Sequence, residues 1–460
     1  MPLSLIVLGL VAMVCVGLVV LAKPDIGLGL LAFAVFTRLP EHLEKTAGIP
    51  TLTLPFALVV GVVAAYSNAV RLGRRPGRLP AVGLIVVIQI LLLGVGRMIA
   101  EDRAAVDLAL AEFPRDAVIV LVIVAAMTTP RALRALVWGA ICSGIVMGGV
   151  AVVQYLEGSY VHSFFGLGIA PLATVVANET SGFRAAGPLG DPNFFAQVLI
   201  VLLALGFERA LRERRPFLRL IALASAALCL AALILTFSRG GVLALAAVIV
   251  VALLIFKVSI RVVTAIGVLA LVAVLIVPTG FAQRFSDLTQ VTGGSQQITD
   301  NAIRGRLSEM TASVLMAVEH PVLGVGPRNF PVHYPRYANR LGLEDNPDDR
   351  NSHSLPLQQA AEGGVVGFTF FLVVVGVGLV GLRRTGRTLR AEDDTDTASM
   401  LDGVFLAFVG FLAAGVFLHL AYQRYFWFLV AVSWAAPQLL GVTRRRVSSP
   451  TAPVLVDSAP

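Results

Sequence analysis

The chain has 460 residues, 57% of them hydrophobic and 14% charged. Apolar runs recur from residue 4 to residue 442, which excludes a disordered chain and a soluble core and marks a polytopic helical membrane protein. The net charge of +8 does not indicate nucleic-acid binding, because the basic residues collect in short loops between those runs.

Hydropathy and loop charge predict spans at roughly 4–22, 25–38, 51–69, 80–99, 115–129, 133–155, 192–208, 218–236, 241–256, 262–278, 359–382, 402–420 and 425–442. The all-α fold expected is therefore a bundle of about 12–13 transmembrane helices with a long, partly helical external loop. The first run has no basic residue before it and no cleavage site, so it reads as a span and not as a signal peptide. The run 25–38 is short for a full crossing and leaves a tilted, re-entrant or hairpin form open, with the side of the N-terminus. Cys15, Cys142 and Cys229 lie inside apolar runs and read as small core residues.

Arginines in 209–219 and 383–390, with Lys257 and Arg261, hold those loops inside. The segments 157–191, 237–240 and 279–355 then fall outside. The last of these is too long for a connector and carries its own structure. Within it, Ile303, Leu307, Met310, Val314 and Val318 follow helical spacing over 303–318, with Arg304 and Arg306 at the two edges of the stripe. Asp300 or Asn301 can cap this helix, and His320-Pro321 with Gly324 and Gly326 end it. The following 326–338 reads as an ordered loop rich in proline and aromatics. The acidic run 391–399 and the tail 447–460 read as disordered, the tail cytoplasmic.

The chemistry gathers at the helix starts on the outer side. Asp191-Pro192 fits an N-cap followed by proline, Ser238 can cap the run from Gly240, and Ser354 with Pro356 can cap the run carrying Glu362. Three helix N-termini would then offer unpaired N–H groups and partial positive charge to one place, an environment that binds phosphate. Arg184, Arg239 and His353 lie just before these starts. Guanidinium forks match pyrophosphate oxygens at two points and stay charged. A histidine beside a helix N-terminus is biased toward the neutral form that a general base needs.

Each residue alone also has an ordinary reading. Arg184 fits a loop charge, Arg239 an interfacial anchor, Arg306 a solvated helix edge, His353 a satisfied loop histidine and Glu362 a packing role. The acidic cluster 344–349 fits a solvated loop better than a cation site. His162, His320 and His333 lack the helix-start context. Convergence on one side favours the functional reading.

Four stretches, FRAAGPLGDPNFFA, LTFSRGGVLAL, GRLSEMTASVLMAVEHPVLGVGPRNF and NSHSLPLQQAAEGGVVG, occur in this order. Together they resemble the O-antigen ligase and polymerase superfamily of bacterial membrane glycosyltransferases, over roughly residues 180–380. The resemblance implies one transmembrane glycosyltransferase-like domain over 1–446, with the external loop 279–355 inserted in it. It implies transfer of a glycan from a polyprenyl-pyrophosphate carrier to an acceptor hydroxyl on a lipid, glycan or protein. The place is the outer face of the cytoplasmic membrane, among membrane lipids, in cell-surface polysaccharide assembly. The implied chemistry is metal-independent and inverting, with no cofactor. On this reading Arg239, Arg306 and His353 are catalytic, while Arg184, Asn193, Arg304 and Glu362 bind pyrophosphate or glycan. Where many members have His-Asn, this chain has His353-Ser354. Ligase and polymerase are not separated by sequence. A transporter or flippase of lipid-linked glycans is the rival reading, disfavoured because the spans are almost free of mid-depth charge.

Overall fold

A computed structural model describes residues 23–42, 53–67, 73, 77–171, 183–256, 264, 301–342, 350–420 and 423–440. Among the described residues the structure is helical with no strand. The helices are α1 (Pro24–Thr37), α2 (Thr53–Tyr66), α3 (Leu79–Ile99), α4 (Arg103–Ala126), α5 (Pro130–Glu157), α6 (Pro192–Arg212) and α7 (Pro216–Leu235). They continue as α8 (Arg239–Phe256), α9 (Asn301–Glu319), α10 (Phe330–Leu341), α11 (Leu355–Ala391), α12 (Thr395–Gly415) and α13 (Gln423–Ala435). Six of these, α3, α5, α6, α7, α11 and α12, are long and apolar enough to cross a membrane. The predicted spans 4–22 and 262–278, the caps Asp300 and Asn301, the cluster 344–349 and the tail lie wholly or largely outside the described residues and side chains.

Helix starts follow local chemistry. Asp191 accepts from the N–H groups of Asn193 and Phe194, with Pro192 next. Thr129 caps α5 ahead of Pro130, and Asp102 caps α4. α6 is buried on nearly every side and forms the axis of the bundle. Close approach elsewhere rests on small residues. A Cβ on Gly139 of α5 would lie 2.0 Å from the Gly29 carbonyl oxygen of α1, and one on Gly148 would lie 2.8 Å from the Leu228 backbone of α7. Cys229 fills this contact as expected, whereas Cys142 is exposed on the outer surface of α5.

The bundle has two unlike ends. At the basic end, Arg209 is wholly buried and pairs with Glu208 at 2.6 Å and Asp396 at 2.7 Å. Arg134 pairs with Glu213 and with the same Asp396. These pairs correct the reading of 391–399 as disordered. Asp394 caps α12 by accepting from Thr397 N–H, and Asp396 is held by two arginines. An acidic run reads as solvated by composition, but here its charges have partners.

The opposite end carries α9, α10 and the first turns of α11 around a small core of Ala312, Met316, Val325, Phe330, Tyr334 and Ala361. The segment 326–338, expected as a loop, is helical from Phe330. α9 spans the predicted helix, yet its apolar stripe is turned outward. Leu307, Val314 and Val318 are exposed, while Glu309, Ala312, Ser313 and Met316 face the bundle.

α11 is broken at Gly364, with φ 57° and ψ −160°. Residues 321–326 fill the break. Val325 N–H donates to Ala361 O at 2.9 Å and Gly326 N–H to Glu362 O at 3.1 Å. In return Val365 N–H donates to Pro321 O at 2.7 Å and Val366 N–H to Val322 O at 3.2 Å. The backbone groups freed by the break are thus satisfied by the outer segment, as irregular backbone in a membrane protein requires. A Cβ at Gly364 would lie 2.5 Å from the Val322 carbonyl and one at Gly324 2.4 Å from the Glu362 backbone. Gly324 and Gly364 are accounted for by this seam.

Candidate active site

The starts of α6 and α8, the loop before α11 and the link after α12 meet at one corner. Phe237 (φ 51°) and His353 (φ 45°) both take left-handed backbone conformations just ahead of α8 and α11. Such geometry costs a β-carbon-bearing residue roughly 1–2 kcal/mol and is held only where surroundings impose it. Ser238 Oγ accepts from Gly241 N–H at 3.3 Å and caps α8 as predicted. Ser354 is the N-cap residue of α11, but its hydroxyl makes no capping bond.

Arg239 opens α8. A Cβ on the next residue, Gly240, would lie 3.3 Å from Phe417, and one on Gly241 3.0 Å from Ala196. Absence of a side chain there lets the α8 start sit against both α6 and the 416–420 link. The predicted span 402–420 ends as a helix at Gly415, so residues 416–420 form part of this corner.

That link contributes His419, which sequence reasoning missed. Its ring lies 5.4 Å from the His353 ring and 5.1 Å, edge to face, from Phe194 at the α6 start. Among the described residues its Nδ1 is buried without a hydrogen-bond partner. Burial, and then the neighbouring His353, push the His419 pKa down to about 3.

His353 is held on its Nδ1 side. Nδ1 lies 3.0 Å from the Asn351 carbonyl oxygen and 3.3 Å from Glu309 Oε2. Two acceptors at Nδ1 favour the tautomer with the proton there and leave the Nε2 lone pair for other chemistry. Glu309 is almost fully buried and pairs with Arg350 at 3.0 Å. Arg350 lies over the start of α9, where a Cβ on Gly305 would come 2.8 Å from its Nη1. Ser313 and Ser352 hydroxyls, 3.0 Å apart, tie α9 to the same loop. Glu309 is the second residue that sequence reasoning missed. It falls within the GRLSEM stretch, three positions after Arg306 on the same helix, a spacing that makes the two surface neighbours.

The other predicted residues divide. Arg184 is half-buried and its Nε donates to Thr236 O at 3.1 Å, at the C-terminal end of α7, where a cation is favoured. The Tyr160 hydroxyl donates to Arg184 O at 2.6 Å and accepts from Arg184 N–H at 2.8 Å, so the loop before α6 is fixed beside the α8 start. Asn193 sits half-buried in the first turn of α6. Arg306 is half-buried on α9, and the Arg304 side chain is outside the described set. Glu362 is buried. Its oxygens accept from Phe330 N–H at 3.4 Å and from Gln358 Nε2 at 3.2 Å, which makes it a brace between α10 and α11.

Residues 224–372 match the family model described as O-Antigen ligase. Over that stretch the chain is similar to the O-antigen ligase family. No curated protein matches the chain. The matched stretch takes in Arg239, Arg306, Glu309, Arg350 and His353, whereas Arg184, Asn193 and His419 lie outside it. The family carries a glycosyltransferase-like activity in a membrane, on a lipid-linked glycan.

Proposed function

We propose that this protein transfers a glycan from a polyprenyl-pyrophosphate carrier to an acceptor hydroxyl at the outer face of the cytoplasmic membrane, in cell-surface polysaccharide assembly. The observation that carries the reading is the His353 ring, engaged at Nδ1 by Asn351 and Glu309 in a corner bounded by two helix N-termini. The exposed apolar stripe of α9 supports a membrane-surface setting for this end.

In this mechanism Nε2 of His353 takes the acceptor proton, and Glu309 stabilises the imidazolium that forms. The acceptor oxygen attacks the anomeric carbon from the face opposite the carrier, so configuration inverts. The carbon–oxygen bond to pyrophosphate breaks and its electron pair stays on the leaving phosphate oxygen. Arg239 and Arg306 stabilise that charge, a service worth on the order of 100-fold or more per fixed donor. Arg184, Asn193 and Arg304 contribute to the anion site, and Glu362 is reassigned to the frame. Arginines carry out the neutralisation that a divalent cation would otherwise supply, so a chelator should leave turnover unchanged.

The test uses purified protein, a polyprenyl-pyrophosphate glycan and an acceptor glycolipid. His353→Ala should lose transfer and keep carrier binding. Glu309→Gln should lose roughly 10- to 100-fold in turnover with carrier binding intact. Unchanged turnover in His353→Ala would remove the general-base role. A product carrying repeated glycan units would assign a polymerase.

A further inference from the structure

At the basic end a cleft of about 640 Å³ opens between the second half of α11, the start of α3 and the end of α13. Its α11 wall is one stripe. Val373, Val377 and Val380 are followed by Arg384 and Thr388, at spacings of three and four. The three valines are exposed although apolar. Opposite stand Trp434 of α13 and, in the segment after it, Pro437 and Leu440. Gly376 keeps the space open, since nothing lies within 4 Å of the position a Cβ would take there.

Among the described residues no carboxylate lines this cleft. Its charged groups are Arg384 and Arg78, the residue just before α3. Both are exposed, and neither has an ion-pair partner among the described residues. Other arginines of the same end differ. Toward α12, Arg383 and Arg390 share Asp402, while Arg134 and Arg209 share Asp396. Carboxylates thus balance one side of the basic end and leave Arg78 and Arg384 unmatched on the other. From Val373 to Arg384 the stripe rises roughly 16 Å at 1.5 Å per residue. That is about half of a hydrocarbon core of roughly 30 Å, the share of one leaflet. An acyl chain therefore matches the wall in length, with its phosphate beside the two guanidinium groups. Guanidinium forks pair with phosphate oxygens at two points, and basic pockets between spans favour anionic lipid heads. A soluble anion would use the arginines and leave the apolar wall uncovered.

We infer that this cleft holds one anionic phospholipid, its phosphate on Arg78 and Arg384 and a chain along Val373, Val377 and Val380. The site is at the other end of the bundle from the His353 corner, and the inference does not rest on the proposed transfer reaction. The test uses the full chain purified in mild detergent, with dioleoylphosphatidylglycerol or dioleoylphosphatidylcholine added at equal concentration. Native mass spectrometry and thermal unfolding give the readouts. The parent should keep one phosphatidylglycerol under conditions that strip phosphatidylcholine, and only the former should raise the melting temperature. Arg78→Gln with Arg384→Gln should weaken retention roughly 10- to 30-fold, for two lost cations. Gly376→Trp, which fills the open space, should abolish it; if that variant does not fold, the arginine pair decides. Arg214→Gln with Arg215→Gln removes two exposed charges of the same end and should leave retention unchanged. Equal retention of the two lipids, equal loss in the Arg214 and Arg215 variant, or full retention without Arg78 and Arg384 would each overturn the assignment. So would equal stabilisation by glycerol phosphate, the mark of a soluble-anion site, or a dimer in place of the lipid that Gly376→Trp disrupts.

Discussion

The His353 and His419 rings lie 5.4 Å apart, brought together from the loop before α11 and the link after α12. Only the former faces a carboxylate, Glu309, at Nδ1, while the latter has a buried Nδ1 with no described partner. The two imidazoles therefore have different electrostatic surroundings within one corner.

His419 should make the fold acid-sensitive. Its pKa in the fold is about 3 against an ordinary 6.5, so the unfolded chain takes up a proton that the folded one refuses. Stability is unaffected above the ordinary value and declines as pH falls from there toward about 3. His419→Phe should flatten that decline. Thermal unfolding in detergent, measured at intervals between neutral and acid pH, checks it, and an equal slope in parent and variant would refute it.

Arg239→Lys should lose at least about tenfold in transfer although charge is kept, because a lysine cannot reproduce a planar two-point fork. Arg340→Ala should transfer normally. That arginine is exposed, pairs with Glu319 and lies over the Tyr337 ring, away from the corner. Steady-state rates of the two variants at matched expression separate an anion-site role from a general effect of outer charge.

Gly364→Ala should destabilise the protein by about 2 kcal/mol or more. The backbone conformation there is essentially confined to glycine, and the added carbon would meet the Val322 carbonyl. Gly376→Ala, also in α11 but with open space around it, is the control. Melting temperatures in the same detergent decide between them.

The orientation of the bundle is open to direct labelling. Asn339→Cys lies at the site end and Arg387→Cys at the basic end, both exposed. In a background without native cysteines, an impermeant thiol reagent applied to intact cells should modify the first and spare the second. The reverse pattern would place the corner in the cytoplasm and end the proposed reaction.

Much of the scaffold was readable because its signals are local. Asp191-Pro192 starts α6, and apolar runs mark the spans, since a proline after a capping carboxylate and an uncharged run each have few alternatives. The α9 periodicity found the helix but not its buried face. An apolar stripe reads as inward in a soluble protein, whereas beside a bilayer the small and polar stripe with Glu309 and Ser313 can be the inner one. Glu309 and His419 were missed because their significance lies in contact with His353, and no local pattern encodes a neighbour so distant in sequence. The break at Gly364 was hidden within a continuous hydropathy run. Arg209, counted among the basic loop residues, is wholly buried because Asp396 arrives from another helix.

The seam between 321–326 and 361–366 has a bearing on how such proteins diversify. Exchanging an outer segment between relatives by recombination would ordinarily break at the loop ends. Here a crossover just before α11 would separate two segments that share four backbone hydrogen bonds and a pair of interlocked glycines. A viable crossover would fall beyond Gly364, inside the helix itself. The outer segment and the first turns of α11 would then be inherited as one block.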